Sequence, residues 1–346
     1  MKKRPNNQSH FWLQLSCILS GIMGLFAYAA SKFIPGKMVV AVCAAGILGF
    51  MITLILLALR QKGVGAVVRT IIVSLLAVIV GTYVLLFGFV SLFQDAVANQ
   101  TASFFQPRTI SAEAADALTA AEVLPLDLTA SDGVQLRGWL VRNSTEAKSP
   151  LLIYFGGSGS EASEMIPSAK SLVGWSVALV NYRGFGLSEG TPTHQNVLAD
   201  ALVVYDTLSA RADIDPDQIA IMGYSLGSGV AVYLSAERPV IGTVLVSPYD
   251  TWTLIGVQQS PLYAPLSGIM KRYFDSVSRA PAILSPLLCL AGSSDRVISP
   301  ELSRRLADEW GGEVTLIEYP GEDHGLLFHA NSSWMDILGF LKKLSI

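Results

Sequence analysis

Ser225 lies in Gly223-Tyr224-Ser225-Leu226-Gly227. A short apolar run, Gln218–Met222, precedes it, and Ser228–Glu237, with the composition of a helix, follows. A serine on a sharp strand-to-helix turn has strained backbone angles, and its hydroxyl stands clear of the sheet edge. The flanking glycines remove side chains that would collide where strand and helix converge. The amide of Leu226, at the start of that helix, points to where a carbonyl oxygen attacked by Ser225 would become an anion. The chemistry implied is acyl transfer to a serine nucleophile.

Such a hydroxyl needs a base to take its proton. The chain has four histidines. His10 precedes the first apolar span, His194 sits where a loop leads into a helix, and His329 lies near the start of the last helix. His324, in Gly321-Glu322-Asp323-His324-Gly325, directly follows the last strand, and a parallel sheet gathers its ligands in the loops at the carboxyl ends of its strands. His324 is the expected base. The carboxylate that orients it is expected to be Asp295, which follows the penultimate strand and keeps the chain order Ser, Asp, His. Asp250 stands in reserve, and Asp323 is too close in sequence to reach the ring. A second oxyanion donor is expected from Gly156-Gly157-Ser158-Gly159, through the amide of Ser158. That glycine-rich loop completes no dinucleotide or Walker pattern.

The elements that must bring these groups together occupy the latter two thirds of the chain. Apolar strands at 124–128, 134–142, 151–155, 177–181, 219–222, 240–246, 287–291 and 314–318 alternate with helices at 161–173, 198–210, 300–309 and 332–344. This alternation predicts a mostly parallel eight-stranded sheet with helices on both faces. The first two strands flank Ser131-Asp132-Gly133 and read as a hairpin. Between Asp250 and Pro281 the chain is apolar and aromatic (Trp252, Leu254, Ile255, Leu262, Tyr263, Leu266, Met270, Tyr273, Phe274), fit either to line an acyl pocket as a lid or to pack as core.

The 346 residues are 51% hydrophobic, with a mean hydropathy of +0.47, too apolar for an ordinary soluble protein. The excess lies in residues 1–94, which hold eight Lys or Arg and no acid, whereas residues 95–346 hold all 27 acids against 16 basic residues. Three uncharged runs, 11–31, 38–59 and 70–93, have 21, 22 and 24 residues. About 20 are needed to cross a bilayer as helix. Residues 1–94 therefore read as a membrane anchor of three transmembrane helices, 95–121 as a linker and 122–346 as a catalytic domain. The basic residues of the N-terminus and second loop put both in the cytoplasm, so the domain lies on the extracytoplasmic side of a plasma or inner membrane. Ala27-Tyr28-Ala29 also resembles a signal-peptidase site, and cleavage there would leave the domain on the same side. An acidic domain without a basic stripe argues against nucleic acid. Cys17, Cys43 and Cys289 form no disulfide framework or metal spacing, and no cofactor is expected.

Tyr154-Phe155-Gly156-Gly157, Asn181–Gly190, the Ser225 pentapeptide, Ser247-Pro248-Tyr249-Asp250, Gly292-Ser293-Ser294-Asp295 and Asp323-His324 follow one another in the order found in the alpha/beta-hydrolase superfamily. Over about residues 122–344 the chain resembles that superfamily, in particular its membrane-anchored branch related to lysophospholipases and protein depalmitoylases. The resemblance gives Ser225, Asp295 and His324 the nucleophile, acid and base positions. One departure is Gly156-Gly157 where many relatives have His-Gly. A membrane-tethered serine hydrolase of carboxylic esters or thioesters, acting on small-molecule or lipid-like acyl groups, is the expectation. A peptidase on the same scaffold and a non-catalytic membrane scaffold are its rivals. Arg183, within Asn181–Gly190, is expected to tie that loop to neighbouring backbone or carboxylates.

Overall fold

The computed structural model describes residues 104–253, 255, 272–329 and 331–345. The three apolar runs of the N-terminal region lie outside the described residues. Among the described residues no helix is long and apolar enough to cross a membrane.

Eight strands form one sheet: β1 (Val123–Thr129), β2 (Gln135–Val141), β3 (Ser149–Phe155), β4 (Ser176–Val180), β5 (Ile214–Tyr224), β6 (Gly242–Val246), β7 (Leu287–Gly292) and β8 (Val314–Tyr319). Their order is β1-β2-β4-β3-β5-β6-β7-β8. The hairpin β1–β2 and the β2–β4 pair are antiparallel, and every other neighbour is parallel. The central strands are buried on both faces, which is why they read as unbroken apolar runs rather than alternating ones. Along β5, Ile219 and Ile221 join one core while Ala220 and Met222 join the other. Period-two alternation thus sends neighbouring residues to opposite layers.

The first core is covered by α3 (His194–Ser209), α4 (Leu226–Glu237) and α6 (Pro300–Asp308). The second is covered by α1 (Ala112–Leu118), α2 (Ile166–Lys170), α7 (Leu326–His329) and α8 (Asn331–Leu344). A short helix α5 (Ser276–Arg279) precedes β7.

Two helices differ from expectation. The helix expected over 161–173 is a 3-10 turn, Ala162–Met165, followed by the short α2. Pro167 lacks a backbone N–H and is tolerated only in a helix's first turn, so the α-helical stretch begins at Ile166. Helix α3 begins at His194 rather than Leu198, because Thr193 and Asn196 form a reciprocal capping box.

The stretch expected as a linker is, from Phe104 onward, packed against the domain. Phe105 is buried beside Tyr182 and Phe185, Ala115 of α1 enters the second core, and Thr109 bridges to Gly186. The aromatic side chains that a polar composition of Ala, Ser, Thr and Gln obscured provide the adhesion.

Candidate active site

Strand β5 ends at Tyr224 and α4 starts at Leu226, leaving Ser225 alone on the turn with φ 53° and ψ −120°. Three hydrogen bonds hold that strained conformation: Ser225 N–H donates to the Val246 carbonyl at 2.9 Å, and the Ser225 carbonyl accepts from Ser228 N–H at 2.9 Å and from Ser228 Oγ–H at 2.7 Å. A Cβ on Gly223 would strike the Gly227 carbonyl, and one on Gly227 would strike the Phe155 carbonyl of β3. Only glycine allows helix and strands to approach this closely.

Asp295 follows β7, and 93% of it is shielded from solvent. Its Oδ1 accepts from the amides of Val297 (2.8 Å) and Ile298 (2.9 Å), which aims Oδ2 at His324. The His324 loop crosses directly over the end of β7, where a Cβ on Gly292 would lie 2.5 Å from the carbonyls of Glu322 and Asp323. Ser294 N–H donates to Glu322 O, and Gly321 N–H donates to Ser293 Oγ, both at 2.9 Å, so the two loops are stapled together.

His324 Nδ1 lies 2.7 Å from Asp295 Oδ2, and its Nε2 lies 2.9 Å from Ser225 Oγ. An ionised carboxylate only accepts, so it holds the ring proton on Nδ1 and leaves the Nε2 lone pair facing the serine hydroxyl. Three side chains far apart in sequence therefore form one hydrogen-bonded chain at the carboxyl edge of the sheet. The arrangement can take a proton from the serine and hold the resulting imidazolium.

Tyr224 was not singled out in the sequence, where it is merely the variable position before the serine. Its hydroxyl donates to the His324 carbonyl at 3.0 Å, and its ring lies 5.5 Å from the imidazole. Burial, together with the nearby Asp295, raises its pKa and keeps the phenol protonated as a donor.

The amides of Leu226 and Ser158 donate to no other group among the described residues. Leu226 opens α4, where no preceding turn supplies an acceptor. Ser158 follows Gly157, whose own amide donates to Ser160 Oγ at 3.2 Å.

The other candidates stand elsewhere. His194 Nε2 accepts from the Phe274 amide at 3.1 Å, and its ring meets Tyr273 and Phe274 edge-on. Asp250 is fully buried: Oδ1 accepts from Thr251 N–H and Oδ2 faces Arg305 at 3.0 Å. Burial raises its carboxyl pKa. Asp323 caps its own turn through Gly325 N–H. His10 lies outside the described residues. Arg183 forms bidentate pairs with Asp200 and Asp132, joining α3 to the β1–β2 turn. Among the described residues no group of three or more His, Cys, Asp or Glu is placed to hold a metal ion.

Of the apolar segment between Asp250 and Pro281, Leu254, Leu262, Tyr263, Leu266 and Met270 lie outside the described residues. Ile255, Tyr273 and Phe274 are buried in the first core, and Trp252 packs against it. Beside the hydrogen-bonded chain, Val297 is 46% exposed and Phe328, whose ring meets Tyr224 edge-on, is 47% exposed.

Residues 150–266 match the family model of the alpha/beta hydrolase fold. An uncharacterised protein of Mycobacterium tuberculosis is 32% identical over 212 residues, 60% of this chain and 75% of that protein. The alpha/beta hydrolase domain-containing protein WAV2 of Arabidopsis thaliana is 27% identical over 239 residues, 62% of this chain and 77% of its own. Among solved structures, a Pyrococcus furiosus esterase superposes with TM-score 0.55 at 18% identity, over 69% of this chain and 97% of that one. Acetyl xylan esterase 1 of a Thermoanaerobacterium superposes with TM-score 0.54 at 18% identity, over 72% and 93%.

Proposed function

The chain belongs to the alpha/beta-hydrolase superfamily, and from that premise we propose that it is a serine hydrolase of carboxylic ester or thioester bonds in acyl or lipid-like substrates. One observation carries the reading: the continuous hydrogen-bonded chain Ser225–His324–Asp295 at the carboxyl edge of the sheet. Ser225 Oγ attacks the carbonyl carbon as His324 Nε2 takes its proton, and Asp295 stabilises the imidazolium. The carbonyl oxygen becomes an anion held by the amides of Leu226 and Ser158. His324 then returns its proton to the leaving alcohol or thiol, giving an acyl-enzyme. Water, deprotonated by the same nitrogen, releases the acid. These steps need no metal or cofactor.

Apolar acyl groups are favoured by the exposed side chains of Val297 and Phe328 beside the site, which offer a surface to a hydrocarbon tail. The same reading tethers the enzyme by its N-terminal apolar runs, with the catalytic domain on the extracytoplasmic side of the membrane. The sequence of those runs and their basic loops supports it.

A p-nitrophenyl ester series of increasing acyl length, run on wild type and Ser225→Ala, tests the activity. Turnover that rises with chain length and vanishes in the variant is expected. A variant that keeps wild-type turnover would refute the proposal.

A further inference from the structure

The stretch through which the chain reaches the domain makes a contact that a tether does not require. Gln106 N–H donates to the Ser158 carbonyl at 2.7 Å. We propose that Gln106, through its backbone amide, is a positioning residue for the oxyanion loop. The inference rests on the reading of Ser158 as an oxyanion donor.

The argument is one of peptide geometry. A residue's N–H lies in the rigid peptide plane before it, and that plane is steadied when the next one is also fixed, because fewer torsions around it are left to turn. The Gly157–Ser158 plane, which carries the Ser158 N–H, is held where the Gly157 carbonyl accepts from Ser160 N–H at 3.3 Å. The next plane, Ser158–Gly159, is held where the Ser158 carbonyl accepts from Gln106. Gly156, one plane earlier, accepts from Tyr182 Oη at 2.8 Å. The loop lies beyond the end of β3 and has no strand ladder of its own. Without Gln106 the torsion after Ser158 is restrained only by the long Gly157–Ser160 turn hydrogen bond, and that residue is flanked by flexible glycines at 157 and 159.

Gln106 is itself held on both sides. Phe105 is 96% buried and packs edge-on to Tyr182 (5.8 Å) and Phe185 (6.4 Å), so it leans on the same tyrosine that grips Gly156. Two residues on, the Arg108 carbonyl accepts from Gly186 N–H at 2.8 Å, and its guanidinium pairs with Glu164 at 2.5 Å. A donor clamped at both ends transmits that rigidity to its acceptor, and an oxyanion donor acts by being in position before charge develops.

The test uses the full-length chain in detergent and p-nitrophenyl butyrate as substrate. Gln106→Pro deletes the N–H. It is expected to lower kcat by about 10- to 100-fold with KM held within about twofold, since the contact acts on the transition state rather than on substrate binding. Affinity for an aryl trifluoromethyl ketone, which adds to the serine hydroxyl and leaves a tetrahedral oxyanion, should fall by the same factor. Gln106→Ala, the conservative variant that keeps the amide, should rescue both.

The proposal is overturned by a Gln106→Pro protein that melts cooperatively yet keeps wild-type kcat and ketone affinity. A rise in KM alone, or an equal loss in Gln106→Ala, also overturns it. If Gln106→Pro does not fold, a backbone ester at the 105–106 linkage, which exchanges only that N–H for oxygen, is judged by the same criteria. Ser225→Ala separates the two levels. Hydrolysis that survives in Ser225→Ala sinks the serine-hydrolase reading and this inference with it, whereas a dead Ser225→Ala beside an unimpaired Gln106→Pro sinks this inference alone.

Discussion

Ser225, His324 and Asp295 are joined by two short contacts, 2.9 and 2.7 Å, whose value in the proposed reaction depends on angle as much as on distance. Asp295→Asn keeps the shape but can present an N–H to the imidazole and fix the wrong tautomer. It is expected to lower kcat by about 10⁴-fold, measured by steady-state ester hydrolysis. Asp250→Asn should leave kcat within about twofold, because its carboxylate faces Arg305 and not the imidazole. A large loss there would move the acid role to the reserve candidate. Asp250 has a separate signature in stability. Burial raises its folded pKa, so above the ordinary carboxylate value of about 4 the native state holds a proton that the unfolded chain has released. The folded form then binds more protons, and its stability falls as pH rises through that window. Thermal midpoints measured against pH should show this slope in wild type and a flatter one in Asp250→Asn. Tyr224→Phe removes one hydroxyl from the His324 carbonyl and should lower kcat several-fold at nearly constant KM.

At the scale of elements, helix α4 approaches strands β5 and β3 so closely that Gly223 and Gly227 leave no room for a methyl group. Gly227→Ala would press a carbon into the Phe155 carbonyl, which belongs to a central strand and cannot withdraw cheaply. A loss of about 3 kcal/mol is expected, read as a lower midpoint in urea or thermal unfolding. Arg183 joins helix α3 to the β1–β2 turn through Asp200, which is buried, and Asp132, which is not. Arg183→Met should cost about 3–5 kcal/mol because it leaves the Asp200 charge buried without a partner. Adding Asp200→Asn should restore part of that loss, which a double-mutant cycle would read. The expectation that Arg183 ties its loop to neighbouring carboxylates agrees with these contacts. The helix that stopped short at 166–170 and the one that began early at His194 differ for local reasons, a proline and a capping box. Both signals stand in the sequence, where apolar periodicity outweighed them.

For the whole molecule, the order β1-β2-β4-β3-β5-β6-β7-β8 puts the ends of β3, β5, β7 and β8 at one edge, where the loops bearing Ser158, Ser225, Asp295 and His324 emerge. The antiparallel hairpin sits at the opposite margin from β8, and Arg183 braces its turn. The topology proposed for the full chain has its own check. Protease added to intact spheroplasts should digest the domain beyond Phe104 while sparing segments within the bilayer. A domain that survives intact would reverse the orientation.

The alternation of apolar runs and helices was enough to read eight strands and the carboxyl-edge placement of the serine and histidine loops, because burial on both faces leaves a continuous hydrophobic signature. Glycine spacing around Ser225 likewise betrayed a close approach of backbone to backbone. Tyr224 and Gln106 left no such mark: one acts through a hydroxyl on a main-chain carbonyl 100 residues away in the chain, the other through an amide that every residue but proline possesses. Composition also read residues 95–121 as linker, although those from Phe104 onward pack on the domain, since a few aromatic anchors count little in an average and much in a packed interface. Periodicity is local and survives in one dimension. Which distant groups meet, and at what angle, exists only after the chain has folded.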